Sequence, residues 1–194
     1  MKRENRTTYI ILGFLNHENL TGYEIKKRID YSLRFFWGAG FGQIYPTLSQ
    51  MHEDGLVIKR SDRMGQKLER IIYSITDEGR KQLKNWLSLP VENEIVKYEI
   101  LLKLFFGSLL DEDKNIENIM AFKDKYTKQL SILNSFETEL MQIQNNSPEH
   151  LYYLLTVLFG EKVYKAYLDW TQEAIDLLEK SKIQKSEIND GKKF

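Results

Sequence analysis

The chain has 194 residues, 42% of them apolar, and no cysteine. It is therefore long enough to bury a core as one large or two small domains, and it has no thiolate for a disulfide, nucleophilic catalysis or a cysteine-ligated metal. Lys+Arg and Asp+Glu both number 28, yet residues 1–89 carry 15 bases against 10 acids and residues 90–194 carry 13 against 18, balances of +5 and −5. Such a split points to two domains, only one of them facing a polyanion. The basic N-terminus is followed by an apolar run of only Tyr9 to Leu15 with no small-residue cleavage site after it, so it reads as neither a signal peptide nor a membrane span. Lack of cysteine suits a reducing cytoplasm.

In chain order, Thr7 to Asn16 reads as a short helix with Ile10, Ile11, Phe14 and Leu15 on its buried side. In "NLTGYEIKKRIDYSL", Thr21 and Glu24 are the two ends of a capping box, and Tyr23, Ile25, Ile29 and Leu33 supply apolar positions. The passage "RFFWGAGFG" breaks the helical pattern. Next comes "GQIYPTLSQMHEDGLV". Proline is tolerated only in the opening turn of a helix, so Pro46 places the helix start near Gly42 or Gln43. Ile44, Leu48 and Met51 then form one apolar stripe, Gln43, Thr47, Gln50 and Glu53 point elsewhere, and Gly55 supplies the left-handed cap. The runs "LVIKRSDR" and "ERIIYSIT" read as a β-hairpin around the loop "MGQKL", with Ile71, Tyr73 and Ile75 on one face. Thr76 caps a further helix with Asp77 and Glu78 at its positive end and Leu83, Trp86 and Leu87 facing inward, until Pro90 stops it. This order of helices and strands predicts a winged helix-turn-helix over residues 1–90: three helices, a two-stranded wing and a fourth helix.

Residues 91–194 read as all-helical. A helix from about Ile95 to Leu110 gives way at Asp111 to a long one, in which Ile119, Phe122, Tyr126, Leu130, Leu133, Leu140 and Ile143 recur at spacings of three and four. "NNSPEHL" is a clean break, with Ser147 as N-cap and Pro148 at the first helical position. A second long helix runs to about Lys182, and the tail from Ser186 is expected to fray. Two long helices with single apolar stripes and no sheet to cover them must pack on each other or on a second copy. The whole is a mainly α chain.

The stretches "TGYEI", "GQIYPTLSQMHEDGLV" and "RIIYSITDEGRKQL" resemble the PadR family of bacterial transcriptional regulators. They look like that family's second helix, its recognition helix with the Tyr-Pro pair, and its second wing strand running into the fourth helix. The likeness covers roughly residues 8 to 90. Over the rest it rests on helix lengths and on aromatic positions such as Trp170, which resemble the branch with a long virulence-activator-like C-terminal domain. The resemblance implies a homodimeric repressor of double-stranded DNA with a pseudo-palindromic operator, often controlled by a small aromatic or amphipathic ligand.

On this reading the N-terminal end of the helix from Gln43 enters the major groove. Gln43 and Gln50 would pair with adenine, Thr47 would meet a thymine methyl, Tyr45 would donate to a phosphate, and Pro46 would fix the register. The alternative is a solvated helix face for Thr47 and Gln50 and partial burial for Tyr45. Gln43 to Asp54 contains no lysine or arginine. Phosphate neutralisation would then fall to Arg3 and Arg6 on the N-terminal arm, Lys26, Lys27 and Arg28 on the second helix, and Arg60, Arg63, Lys67 and Arg70 on the wing, with Lys67 at its tip reaching the minor groove. Phe35, Phe36, Trp37 and Phe41 either line a ligand pocket or, as aromatics between helices usually do, fill core. Trp37, Trp86, Tyr98, Tyr153, Tyr164, Tyr167 and Trp170 are likewise open to two readings, an aromatic effector site at a domain or subunit seam and helix packing. No cofactor or metal is expected. His17, His52 and His150 lie far apart, and neither a nucleophile motif nor a phosphate-binding glycine loop occurs. A winged helix also serves as a protein-interaction module without DNA, which stands as the alternative function.

Overall fold

A computed structural model describes residues 5–62, 70–91 and 97–191, the side chains of Asp62 and of residues 186–191 excepted. The chain forms two compact units, Met1–Glu94 and Ile95–Phe194.

The first unit runs α1 (Arg6–His17), β1 (Leu20–Thr21), α2 (Gly22–Arg28), a π-helical turn (Ile29–Leu33), α3 (Phe41–Glu53), β2 (Val57–Asp62), β3 (Arg70–Ile75) and α4 (Asp77–Ser88). Its core is built by Ile11, Leu12 and Leu15 of α1, Ile25 and Ile29, Ile44, Leu48 and Met51 of α3, and Val57, Tyr73 and Ile75 of the sheet. Leu12 takes the place expected of Ile10 and Phe14, which are only partly buried against that core. The wing gains a strand beyond the expected two: β1 pairs with β3 through Leu20↔Tyr73 and Thr21↔Ile72, giving the antiparallel order β1-β3-β2. Two residues are too short a strand to carry a period-two signal.

The caps explain where these elements begin and end. Thr21 accepts from the Glu24 amide (3.2 Å) while Glu24 Oε2 accepts from the Thr21 amide (2.8 Å). The Thr21 amide, and then the Thr21 hydroxyl, which also donates to Oε2 (2.8 Å), hold the Glu24 carboxyl below its usual pKa. At the end of α3, Gly55 has φ +72°, the Leu56 amide reaches back to the Met51 carbonyl (2.9 Å) and the Gly55 amide to that of His52 (3.2 Å), the paired bonds of a Schellman stop. Thr76 Oγ1 accepts from the Gly79 amide (3.0 Å) and opens α4. Gly79 lies so close to the end of α3 that an added Cβ would fall 2.3 Å from the Leu56 carbonyl oxygen.

The second unit holds α5 (Glu99–Phe105), a single 3₁₀ turn (Gly107–Leu109), α6 (Glu112–Ile143) and α7 (Pro148–Gly191). The helix expected from Ile95 to Leu110 is thus shorter at both ends, and a separate 3₁₀ turn opens at Gly107. The Asn115 side chain, almost fully buried, donates to the Gly107 carbonyl (2.9 Å) and sits where a Cβ on that glycine would be. Helix α7 continues to Gly191, beyond the expected end near Lys182. Asp111 caps α6, accepting from the Lys114 amide (2.7 Å). The two long helices pack against each other antiparallel. Lys182 meets Asp113 (2.5 Å), Lys185 meets Glu112, Lys123 donates to Gln172 Oε1 (2.8 Å), and Gly160 lets Leu133 Cδ1 approach to within 2.9 Å of its missing Cβ.

Candidate nucleic-acid interface and aromatic cluster

Helix α3 starts at Phe41, one or two residues before the expected position, because Gly40 takes the cap. The Gly40 carbonyl accepts from the amides of Gln43 (2.9 Å) and Ile44 (3.0 Å), and the Gly40 amide donates to Gln43 Oε1 (3.3 Å). Pro46 is therefore the sixth residue and lies beyond the opening turn. It deprives the Gly42 carbonyl of the amide of residue 46.

Thr47 does not stand on the outer face. It is 5% exposed, within the buried stripe of Ile44, Leu48 and Met51. Its hydroxyl donates to the Gln43 carbonyl (2.7 Å) and accepts from Asn5 Nδ2 (2.9 Å). The expected contact of Thr47 with a thymine methyl is thereby withdrawn: its position, three after Ile44 and one before Leu48, belongs to the apolar stripe, and its hydroxyl is satisfied inside. Asn5 also caps α1, accepting from the Thr7 amide (3.1 Å), so one side chain ties the start of α1 to the middle of α3.

Gln43, Tyr45 and Gln50 are exposed. Gln50 Nε2 donates to Asp54 Oδ1 (2.9 Å). Tyr45 lies across Gly22 at the start of α2. Burial, with Tyr45 nearby, holds the Tyr73 hydroxyl above its usual pKa.

Three consecutive bases, Lys26, Lys27 and Arg28, end α2. Lys26 pairs with Asp30, and Arg28 pairs with Glu18 (2.6 Å). Lys27, Arg60 and Arg70 are exposed. Arg6 is no arm residue: it opens α1, half-buried, with its guanidinium 5.7 Å from the Trp86 ring centroid. Arg3, Arg63 and Lys67 lie outside the described residues.

The aromatic passage departs from the core reading, since Phe36, Trp37 and Phe41 are exposed. Of the residues considered for an effector site, Trp86 stacks on Tyr9 in the first unit (4.3 Å between centroids, 8° between planes), and Trp37 belongs to that unit as well. Tyr98, Tyr164, Tyr167 and Trp170 come together in the second unit around Phe122 and Tyr126. The Tyr98 and Tyr167 hydroxyls are 2.6 Å apart, and burial followed by that bond pushes the Tyr167 hydroxyl far above its usual pKa. Tyr153 stands apart from this cluster, beside His150. Reading the sequence missed Phe41 and Tyr23 as surface residues. The glycines on both sides of Phe41 in "GAGFG" are a signal for an open approach there.

The family profile described as Transcriptional regulator PadR-like family matches residues 11–85, and that of Virulence activator alpha C-term matches residues 96–179. The chain is 33% identical over 181 residues to the Negative transcriptional regulator PadR of Bacillus subtilis (strain 168), spanning 89% of this chain and 97% of the relative. The chain belongs to the PadR-like family of transcriptional regulators. Members are regulators rather than enzymes. This PadR-like chain also superimposes on the crystal structure of Bacillus subtilis PadR in complex with operator DNA, with a TM-score of 0.78 at 30% identity over 90% of this chain and 99% of that one. Against the same protein in complex with p-coumaric acid the TM-score is 0.71 at 28% identity, over 90% and 99%. Among the described residues no helix is long and apolar enough to cross a membrane.

Proposed function

We propose that the chain is a cytoplasmic, homodimeric repressor. On this reading residues 1–90 bind a pseudo-palindromic operator in double-stranded DNA, residues 91–194 hold the dimer together, and a small aromatic ligand relieves repression. The observation that carries the reading is the exposed face of α3. Gln43, Tyr45 and Gln50 stand there, on a helix whose first residue, Phe41, lies near Lys26 of the basic end of α2, in a fold similar to that of a relative solved on its operator. Pro46 lies on the same helix and leaves the Gly42 carbonyl without an intrahelical donor. Lys26, Lys27, Arg28, Arg60 and Arg70, with Arg3, Arg63 and Lys67 of the undescribed segments, are the phosphate-contacting set. Apolar residues left exposed on α5 and α7, among them Phe105 and Phe159, favour a second copy as partner.

The test is a titration of duplex DNA at several salt concentrations. Affinity should fall linearly on a log-log plot with a slope of about −0.9 per neutralised phosphate, and Lys67→Ala should flatten it by roughly one unit. A flat salt dependence would favour the protein-interaction module instead. For the effector, the half-buried phenols Tyr98, Tyr126 and Tyr167 with Trp170 offer stacking surface and hydroxyls to an aromatic acid, and the relative was solved with p-coumaric acid. Adding p-coumaric acid should quench tryptophan fluorescence and release the duplex. Unchanged DNA binding at saturating ligand would remove that acid as effector.

A further inference from the structure

Three aromatic rings stand in a row at the N-terminal end of α3. Tyr23 from α2, Phe41 at the first position of α3 and Tyr45 one turn later have centroids 6.4 and 5.9 Å apart, with planes inclined by 12° and 19°. Their order is fixed from beneath. Tyr45 lies on Gly22, where an added Cβ would come within 2.6 Å of Tyr45 Cε1, and Lys26 Nζ stands 5.8 Å from the Phe41 centroid. All three rings are exposed, Tyr23 by 64% and Phe41 by 43%.

An exposed row of aromatic rings marks a contact surface, and the charge around it says for what. Helix α3 carries no acid before Glu53, and α2 ends in three consecutive bases. The surface suits a polyanion. Phe41 has no donor or acceptor, so it cannot pair with a base edge. The one apolar group on the floor of the major groove is the 5-methyl of thymine. The burial of Thr47 removes the residue that the sequence offered for that methyl.

We propose that Phe41 is a specificity-determining residue that packs on a thymine 5-methyl, with Tyr23 and Tyr45 holding its ring and Gly22 as a positioning residue. The assignment rests on the DNA-binding reading above. Phe41 then distinguishes thymine by the methyl alone, and Gln43 and Gln50 remain for hydrogen-bonding edges.

The experiment begins with the full chain selecting duplexes from a random-sequence pool. Each thymine of a selected duplex is then replaced by deoxyuridine, which deletes only the methyl. Wild-type binding should weaken about fourfold at one thymine of each half-site, the worth of one buried carbon. Phe41→Ala should bind the parent duplex more weakly and show no further loss at that position, while keeping the wild-type response elsewhere. Phe41→Leu should retain part of the methyl dependence, and Gly22→Ala, which pushes the Tyr45 ring aside, should lose it. Absence of any methyl-dependent position, or an undiminished penalty in Phe41→Ala, overturns the assignment while leaving DNA binding intact. A pool in which no sequence is enriched overturns the DNA-binding reading and this inference with it.

Discussion

The two units dispose of their apolar side chains in opposite ways. In the first, Ile11, Leu12, Ile25, Ile29, Ile44 and Leu48 are fully buried by elements of the same unit, and its exposed aromatics cluster near the start of α3. In the second, Ile119 and Leu133 are buried between the long helices, but Leu102, Phe105, Phe106 and Leu109 on or beside α5, and Leu151, Leu155 and Phe159 along α7, face outward. Leu151, Leu155 and Phe159 recur every four residues and so share one stripe. A unit that closes on itself needs nothing further to be stable. One that leaves a stripe open is half of something, which is where the proposed second copy belongs.

The comparison breaks most visibly if assembly does not depend on that stripe. Leu155→Glu combined with Phe159→Glu should give a folded monomer by light scattering, with operator affinity reduced by about 100-fold through loss of bivalent binding. A full chain that is already monomeric would end the argument. Next in size, Gly79→Ala sets a methyl against the Leu56 carbonyl and should destabilise the first unit by about 1 to 3 kcal/mol in denaturant melts. Gly160→Ala meets only the movable end of Leu133 and should cost less. Equal losses would mean that the first unit is no more tightly closed than the second.

A smaller effect concerns the seam between α6 and α7. Glu161, 4% exposed, receives Lys165 on Oε2 (3.1 Å), and with Glu137 ionised its buried Oε1 has no donor among the described residues. Glu137 of α6 faces it. A hydrogen bond to Glu161, then charge repulsion from it, holds the Glu137 carboxyl above its usual pKa, opposed by Lys165 and Lys162. Raised in the folded state, this group contributes stability that is fully present below its unfolded pKa and is lost as pH rises through the folded value. Glu137→Gln offers Glu161 a donor at every pH. Its melting temperature should match the wild type in acid and exceed it increasingly toward neutral pH; a difference constant across the range would refute the coupling. Smallest is Pro46→Ala. It restores an amide to the Gly42 carbonyl and loosens the unfolded chain, so the two effects oppose and the net change should stay under about 1 kcal/mol. A larger loss would show that the proline itself maintains α3.

Much of the fold was legible in the sequence because its punctuation is chemical. Thr21 with Glu24, Thr76, Gly55 and the Ser147–Pro148 pair each occupy the turn position that their side-chain or backbone chemistry suits. What escaped depends on contacts at long range. Thr47 looks polar until Asn5, forty-two residues earlier in the chain, supplies its partner. Phe36, Trp37 and Phe41 look like core because aromatics commonly are, and only the folded chain shows that the described residues of their own unit leave them exposed. Strand β1 exists only because β3 lies beside it. Of the candidate site, the outward direction of Gln43 and Gln50 followed from helical period, whereas the exposure of Tyr45 and the ring stacking around Phe41 required α2 in place.

The Leu56 carbonyl accepts the Thr76 amide (3.0 Å), lies within reach of the Thr76 hydroxyl, and stands against the Cα of Gly79. The last turn of α3, the root of the wing and the first turn of α4 thus meet at a single oxygen. Mechanically that oxygen is an axle: a torque applied to α4 cannot be absorbed in a slack loop and is passed to α3 and to the root of the wing together.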